Sequence, residues 1–154
     1  MKKLLGVVLC LIGVATFGCS NDELADEKPP EAVIDVEENS YETFLGSYCW
    51  GSNGQTTCVD VAGPKDVLRE EDPIEVSPSD QVMFTIDGEE KPNKIHVVQI
   101  GMEEEVEVTV EDNTFTAPTE EGIYYYSYDV WWMDDKVENV SNGSASYHFA
   151  LLVE

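Results

Sequence analysis

Cys49 and Cys58 are the residues whose spacing most directly implies chemistry. The residues between them centre on Asn53-Gly54, the pair that most favours a two-residue hairpin turn. With that pair in the turn, position 52 pairs with 55 and Cys49 faces Cys58 at a non-hydrogen-bonded site. The expected Cα separation there, roughly 4.5 Å, lies at the short end of the range that a disulfide spans. Because the spacing fits neither a CxxC motif nor a zinc site, we predict a structural disulfide.

Motifs of known catalytic chemistry are absent from the sequence. It contains no GxSxG, HExxH, P-loop or GxGxxG motif. His96 and His148 are the only histidines, and each falls within a strand pattern. A copper site of the cupredoxin type needs a free cysteine between histidines, whereas Cys49 and Cys58 are predicted to be bonded. We therefore expect no catalytic residue and no cofactor.

Acidic residues dominate the charge of the chain. Its 32 aspartates and glutamates outnumber its 8 lysines and arginines, which gives a formal net charge of −24. Such a charge repels nucleic acid and anionic lipid surfaces, whose binding depends on Lys and Arg contacts. We expect no nucleic-acid partner and interpret the charge as a solvated surface that keeps the protein soluble.

Two short acidic runs, at 103–105 and 111–113, contain the hard oxygen ligands that calcium prefers. No EF-hand spacing accompanies them, and a charge run is more often a solvated loop. We predict no metal site, and keep a calcium-binding module as an alternative function.

Tyr125 and Trp131 are the candidate binding residues. Side chains from 123 to 132 alternate between two faces, and bulky residues fill one of them: Tyr124, Tyr126, Tyr128, Val130 and Trp132. We predict that this face packs in the core, which turns Tyr125 and Trp131 to the opposite side. Outward aromatic residues are usual anchors of interfaces and sugar-stacking platforms, so a protein or glycan of the cell envelope is the expected partner. The alternative is that Trp131 packs under a neighbouring loop or covers the sandwich edge.

Short segments that alternate apolar and polar residues predict β-strands, for example at 82–86, 106–110 and 146–153. Asp87-Gly88, Glu121-Gly122 and Asn142-Gly143 predict the breaks between strands. The only helical pattern is a single turn at 64–69. Seven or eight antiparallel strands with one buried face each form a β-sandwich, so we expect residues 41–154 to be one all-β domain.

The N-terminal segment has the layout of a secretory signal. Lys2 and Lys3 precede an apolar run at 4–17, and small Gly18 precedes Cys19. The run is shorter than the roughly 20 residues that a permanent membrane-spanning helix needs. From 20 to 40 the chain is acidic and poor in large apolar residues, which predicts a disordered stalk.

The segment Thr16-Phe17-Gly18-Cys19 resembles the lipobox of bacterial lipoproteins, whose signal peptidase cuts before a lipid-modified cysteine. Gly18 and Cys19 match it, whereas Thr16 and Phe17 depart from the usual residues. The resemblance implies a signal peptide at 1–18, a lipidated Cys19 with its stalk at 19–40, and anchoring to the extracytoplasmic face of the cell membrane. Ordinary secretion with a spare cysteine is the alternative.

The segment from Glu120 to Tyr126 resembles the immunoglobulin-fold signature, with Tyr124 at the tyrosine-corner position and Tyr126 where a cysteine is usual. This implies an Ig-like antiparallel sandwich. The domain as a whole is similar to uncharacterised lipoproteins of Gram-positive bacteria, a group with no known activity to transfer. The resulting expectation is a non-enzymatic binding or structural module of the cell envelope. A calcium module, an extracytoplasmic enzyme and an inhibitor domain are the alternatives.

Overall fold

Alternating apolar residues build two β-sheets that pack face to face in the computed structural model, which describes residues 28–52, 54–102 and 104–154. Cys19 and the predicted signal segment lie outside these residues. Within them the elements are β1 (Ala32–Val36), β2 (Asn39–Glu42), β3 (Phe44–Ser52), β4 (Gln55–Val59), α1 (Pro64–Val67), β5 (Ile74–Val76), β6 (Gln81–Ile86), β7 (Lys94–Ile100), β8 (Glu105–Glu107), β9 (Thr114–Thr116), β10 (Gly122–Met133) and β11 (Ser141–Val153). The predicted all-β sandwich and the single helical turn are both confirmed.

The two sheets differ in size. The smaller one has the order β2-β1-β6-β9, and the larger one has the order β4-β3-β11-β10-β7-β8. These neighbours all pair antiparallel, and the long hairpin of β10 and β11 forms the centre of the larger sheet. One edge of β11 pairs first with β3 and then, over its last three residues, with β5 in parallel.

Aromatic side chains fill the space between the sheets. The Phe84 ring from the smaller sheet stacks on Tyr128 of the larger one, with centroids 3.9 Å apart. Tyr126 stacks on Phe149 at 4.9 Å within the larger sheet. Four of the five bulky residues predicted to share the core face of β10 are buried, and Tyr124 packs against them half-buried: Tyr126, Tyr128, Val130 and Trp132. The predicted core face is confirmed.

Tyr124 makes the hydrogen bond that its position in the signature implies. Its hydroxyl donates to the backbone carbonyl of Glu120 at 3.0 Å, as a tyrosine at the corner between two sheets does. Tyr126, which stands where antibody domains have a cysteine, is fully buried. Its ring lies 5.1 Å, between centroids, from Phe115 of the smaller sheet, so an aromatic contact occupies the place of the missing inter-sheet bridge.

The prediction of a disordered stalk extending to Ser40 is wrong for its second half. Ala32, Ile34 and Val36 are buried in β1, which pairs with both β2 and β6. The Tyr147 hydroxyl also donates to the Pro30 carbonyl at 2.7 Å. These apolar residues repeat every second position, a strand signal that the acidic composition around them concealed. The folded domain therefore begins near Pro30 rather than at Tyr41.

Two other expectations need correction. Strands are more numerous than seven or eight because β2, β5, β8 and β9 are short segments of three or four residues. Asn142-Gly143 is not a turn but lies within β11. The turn comes earlier, where the Asp134 carboxylate accepts from the N–H groups of Lys136 and Val137; these bonds lower the pKa of Asp134. An Asx turn thus takes the place of the expected Asn-Gly turn.

Candidate binding groove on the larger sheet

A groove of about 390 Å³ lies on the outer face of the larger sheet. Its floor is the β11 backbone at 144–146, where Ser144 and Ser146 lie on the same face as their cross-strand neighbours Trp131 and Asp129, while the Ala145 side chain is buried in the core. Trp131 forms a wall on the β10 side, and the β3–β4 hairpin forms the opposite wall. The groove exists because small side chains on a central strand separate bulkier groups on its two neighbours.

The hairpin wall has the geometry that its sequence predicts. Cys49 pairs with Cys58, and the two positions are joined by a disulfide with their Cα atoms 4.1 Å apart. Beyond β4 the chain remains beside β3, where Ser47 Oγ accepts from the Val61 N–H at 2.9 Å. The same oxygen lies 3.3 Å from an Asp60 carboxylate oxygen. Asp60 thereby joins the rim of the groove.

The indole of Trp131 is half-buried and lies beside the ammonium group of Lys94. The Lys94 Nζ lies 5.3 Å from the ring centroid, within the distance at which an ammonium is attracted to an indole face. Lys94 is also the direct cross-strand neighbour of Trp131. At an exposed site such a contact contributes about 0.5–1 kcal/mol, so it favours this position of the ring beside the groove.

The predicted binding pair does not share one site. Tyr125 and Trp131 both lie on β10 and both are half-buried. Trp131 lines the groove and Tyr125 does not, since six residues along a strand separate them by about 20 Å. The structure therefore places one of the two predicted residues in the candidate site.

Asp129 connects the groove to a polar cluster. Its carboxylate accepts from the Ser127 hydroxyl at 2.9 Å, and its second oxygen lies 3.9 Å from His96 Nδ1. On the other side of the same ring, His96 Nε2 lies 3.8 Å from Glu107. An activated serine nucleophile needs a hydrogen bond to a base such as histidine. Here the serine instead donates to the carboxylate, so this cluster is suited to orienting Asp129 towards the groove.

His148, one of the two histidines within a strand pattern, is buried, which the sequence pattern did not predict. Its side chain is 5 % exposed and lies against Gly46, in a position where an added Cβ would come 2.4 Å from Nε2. Burial lowers the pKa of His148, while the charge of nearby Asp129 acts in the opposite direction. The available signal was Gly46 itself, because an isolated glycine in a strand marks a bulge or a close approach. The pairing of β3 with β11 shifts at this point, so that Ser146 faces both Gly46 and Ser47.

The described part of the chain contains no preformed metal site. Within residues 28–52, 54–102 and 104–154, no three side chains of the His, Cys, Asp or Glu type are grouped to hold a metal ion. Glu103, in the first acidic run, lies outside these residues. The same ranges contain no helix long and apolar enough to cross a membrane.

The fold and the groove define an all-β sandwich with a cleft on its larger sheet. No family model, curated protein or solved structure matches the chain. Since one fold hosts many functions, the residues of the groove are the features that indicate the function of this protein.

Proposed function

We propose that this protein is a lipid-anchored, non-enzymatic binding module on the extracytoplasmic face of the cell membrane, and that its groove binds a neutral glycan. One observation carries the proposal: a half-buried indole, that of Trp131, stands beside a floor that carries serine hydroxyls. A sugar ring has an apolar face that packs on an aromatic ring and hydroxyls that need hydrogen-bond partners. The groove supplies both kinds of surface.

The negative charge of the groove favours neutral glycans over acidic ones. Asp129 and Asp60 lie in the groove, and their carboxylates accept hydrogen bonds from sugar hydroxyls more strongly than neutral groups do. The same carboxylates, in a chain with a net charge of −24, repel uronic acids and phosphate-linked sugars. A neutral oligosaccharide is therefore the class of ligand that fits.

Trp131 provides the test of the groove. We expect the Trp131→Ala protein to bind neutral oligosaccharides of glucose, galactose or N-acetylhexosamine at least tenfold more weakly than wild type in calorimetric titration. Tyr125→Ala is the matched control, because it removes an aromatic side chain from the same strand outside the groove.

The stability of the Trp131 variant decides between the groove and a packing role. A groove residue should leave the free energy of unfolding nearly unchanged, whereas removing a core aromatic costs about 3–5 kcal/mol. A loss of that size, or unaltered binding with both variants, would show that the groove is not the glycan site.

Cys19 provides the test of the anchor. We expect Cys19→Ala protein to leave the membrane fraction, because acyl chains contribute about 0.8 kcal/mol for each buried CH₂ and an acidic domain offers no replacement. Cys10→Ala is the matched control: Cys10 lies in the apolar run that cleavage would remove, so this variant should stay membrane-bound. Equal sedimentation of both variants with membranes would contradict lipidation at Cys19.

A further inference from the structure

Strand β4 is an unprotected edge. It ends the larger sheet, and all five of its residues are exposed. Proteins usually protect such edges with charged residues or by keeping the strand short. The other terminal strands follow this rule: β2 and β8 contain glutamates, and β9 has three residues. By contrast, β4 contains no charge.

The lack of charge extends beyond the edge strand. From Thr43 to Val59 the chain has no charged residue, although its net charge is −24. In the adjoining strand β3 this is expected, because β3 lies between two neighbours. Strand β4 is not enclosed in this way, because all five of its residues are exposed. An exposed, uncharged edge is a surface suited to pairing with another strand.

The register of the hairpin shows which backbone groups β4 offers. Antiparallel pairs alternate between hydrogen-bonded sites, about 5.5 Å apart at Cα, and non-hydrogen-bonded sites at about 4.5 Å. The Cys49 and Cys58 Cα atoms are 4.1 Å apart, so this pair is of the second kind. Thr56 is two residues away on the same strand, and therefore Thr56 and Cys58 direct their N–H and C=O groups toward the free edge. The disulfide at Cys58 restrains this part of β4 against β3.

We propose that β4 pairs antiparallel with β4 of a second copy of this chain, with the two-fold axis passing beside Thr57. In this register Thr56 of each copy faces Cys58 of the other, and their four N–H groups meet four carbonyls. Thr57 faces its own counterpart at a non-hydrogen-bonded site. The two larger sheets then become one continuous sheet with a self-complementary interface. The proposal does not depend on what the groove binds.

Charge favours a second copy as the occupant. Two chains that each carry −24 repel one another unless they meet where carboxylates are absent, and the exposed strand β4 is such a place. The register sets Asp60 of one copy opposite Gly54 of the other, so the two Asp60 carboxylates are six residues apart along the strand, about 20 Å. This exceeds the Debye length of about 8 Å at physiological salt. A basic peptide would instead be attracted to the acidic strands.

Sedimentation velocity of the full chain in detergent tests the pairing. We expect a concentration-dependent monomer–dimer equilibrium that strengthens between 0.15 and 0.5 M salt, because salt screens the repulsion of the acidic domains. Thr57→Asp places two carboxylates opposite each other and should weaken the dimer at least tenfold. Thr119→Asp is the control, since Thr119 is also exposed and its replacement adds the same charge.

A second variant reports on the register independently of any folding defect. Thr57→Cys should form an intermolecular disulfide in native membranes, seen as a dimer on a non-reducing gel, whereas Thr119→Cys should not. A chain that stays monomeric at all concentrations overturns the proposal. So does a dimer that Thr57→Asp and Thr119→Asp affect equally, or equal cross-linking of the two cysteine variants.

Discussion

Replacement of Gly46 by alanine should destabilise the domain through one contact. The added Cβ would lie 2.4 Å from Nε2 and 2.8 Å from Cδ2 of His148, so the imidazole would have to move by about 1 Å to reach ordinary contact distance. Since His148 is 5 % exposed, that movement displaces packed neighbours. Overpacking of this kind costs about 1–3 kcal/mol. Alanine also lowers the conformational entropy of the unfolded chain, which offsets about 0.4–1 kcal/mol of this cost. The free energy of unfolding should therefore fall by about 1–2 kcal/mol.

A double-mutant cycle isolates that contact. Urea denaturation at pH 8 keeps His148 neutral and gives the free energy of unfolding for Gly46→Ala, His148→Ala and the double variant. Without the imidazole, the alanine at position 46 should be neutral or stabilising, so the coupling energy should be about 1–3 kcal/mol. Gly63→Ala is the control, because a Cβ at Gly63 meets no atom within 4 Å. Equal costs of Gly46→Ala with and without His148 would refute the argument.

Two further predictions concern the disulfide and the buried histidine. Replacing Cys49 and Cys58 together by serine should lower the free energy of unfolding by roughly 2.7 kcal/mol, the chain-entropy value for a loop of this size, and mass spectrometry of unreduced wild type should find the two peptides linked. Because burial lowers the pKa of His148 in the folded state, the unfolded chain binds its proton first as the pH falls. This residue's contribution to stability is therefore present above about pH 6.5 and is lost below it, with a slope of at most about 1.4 kcal/mol per pH unit. His148→Gln should flatten that slope between pH 7.5 and 5.5, and an unchanged slope would assign the pH dependence to other groups.

Local signals predicted the features that depend on neighbouring residues. The Asn-Gly pair at 53–54 of the sequence predicted the hairpin register, because a two-residue turn specifies which positions face each other, and the pairing of Cys49 with Cys58 is the one predicted. The core face of β10 was also predictable, since five bulky residues at every second position leave only one face to bury. Both predictions needed fewer than a dozen consecutive residues.

Features that depend on distant residues were not predictable in the same way. Strand β1 is ordered by pairing with β6, in which Ala32 pairs with Ile86. The paired residues are therefore about fifty positions apart in the sequence. Judged by its acidic surroundings alone, the segment lacked the apolar surface to fold. The groove is a similar case, because its walls and floor come from three separate segments of the chain. Only their pairing order in the larger sheet makes them neighbours.

The two proposed surfaces share the disulfide, whereas Thr57 and Trp131 each belong to only one of them. Cys58 belongs both to the groove wall and to the free edge of β4. Loss of the bond should therefore weaken glycan binding and dimer formation together, since both use the hairpin in a fixed position. Thr57→Asp should weaken only the dimer, and Trp131→Ala only glycan binding. If the cysteine-to-serine protein folds and yet retains both activities at wild-type strength, the hairpin is held by its backbone pairing with β3, and the bond contributes stability alone.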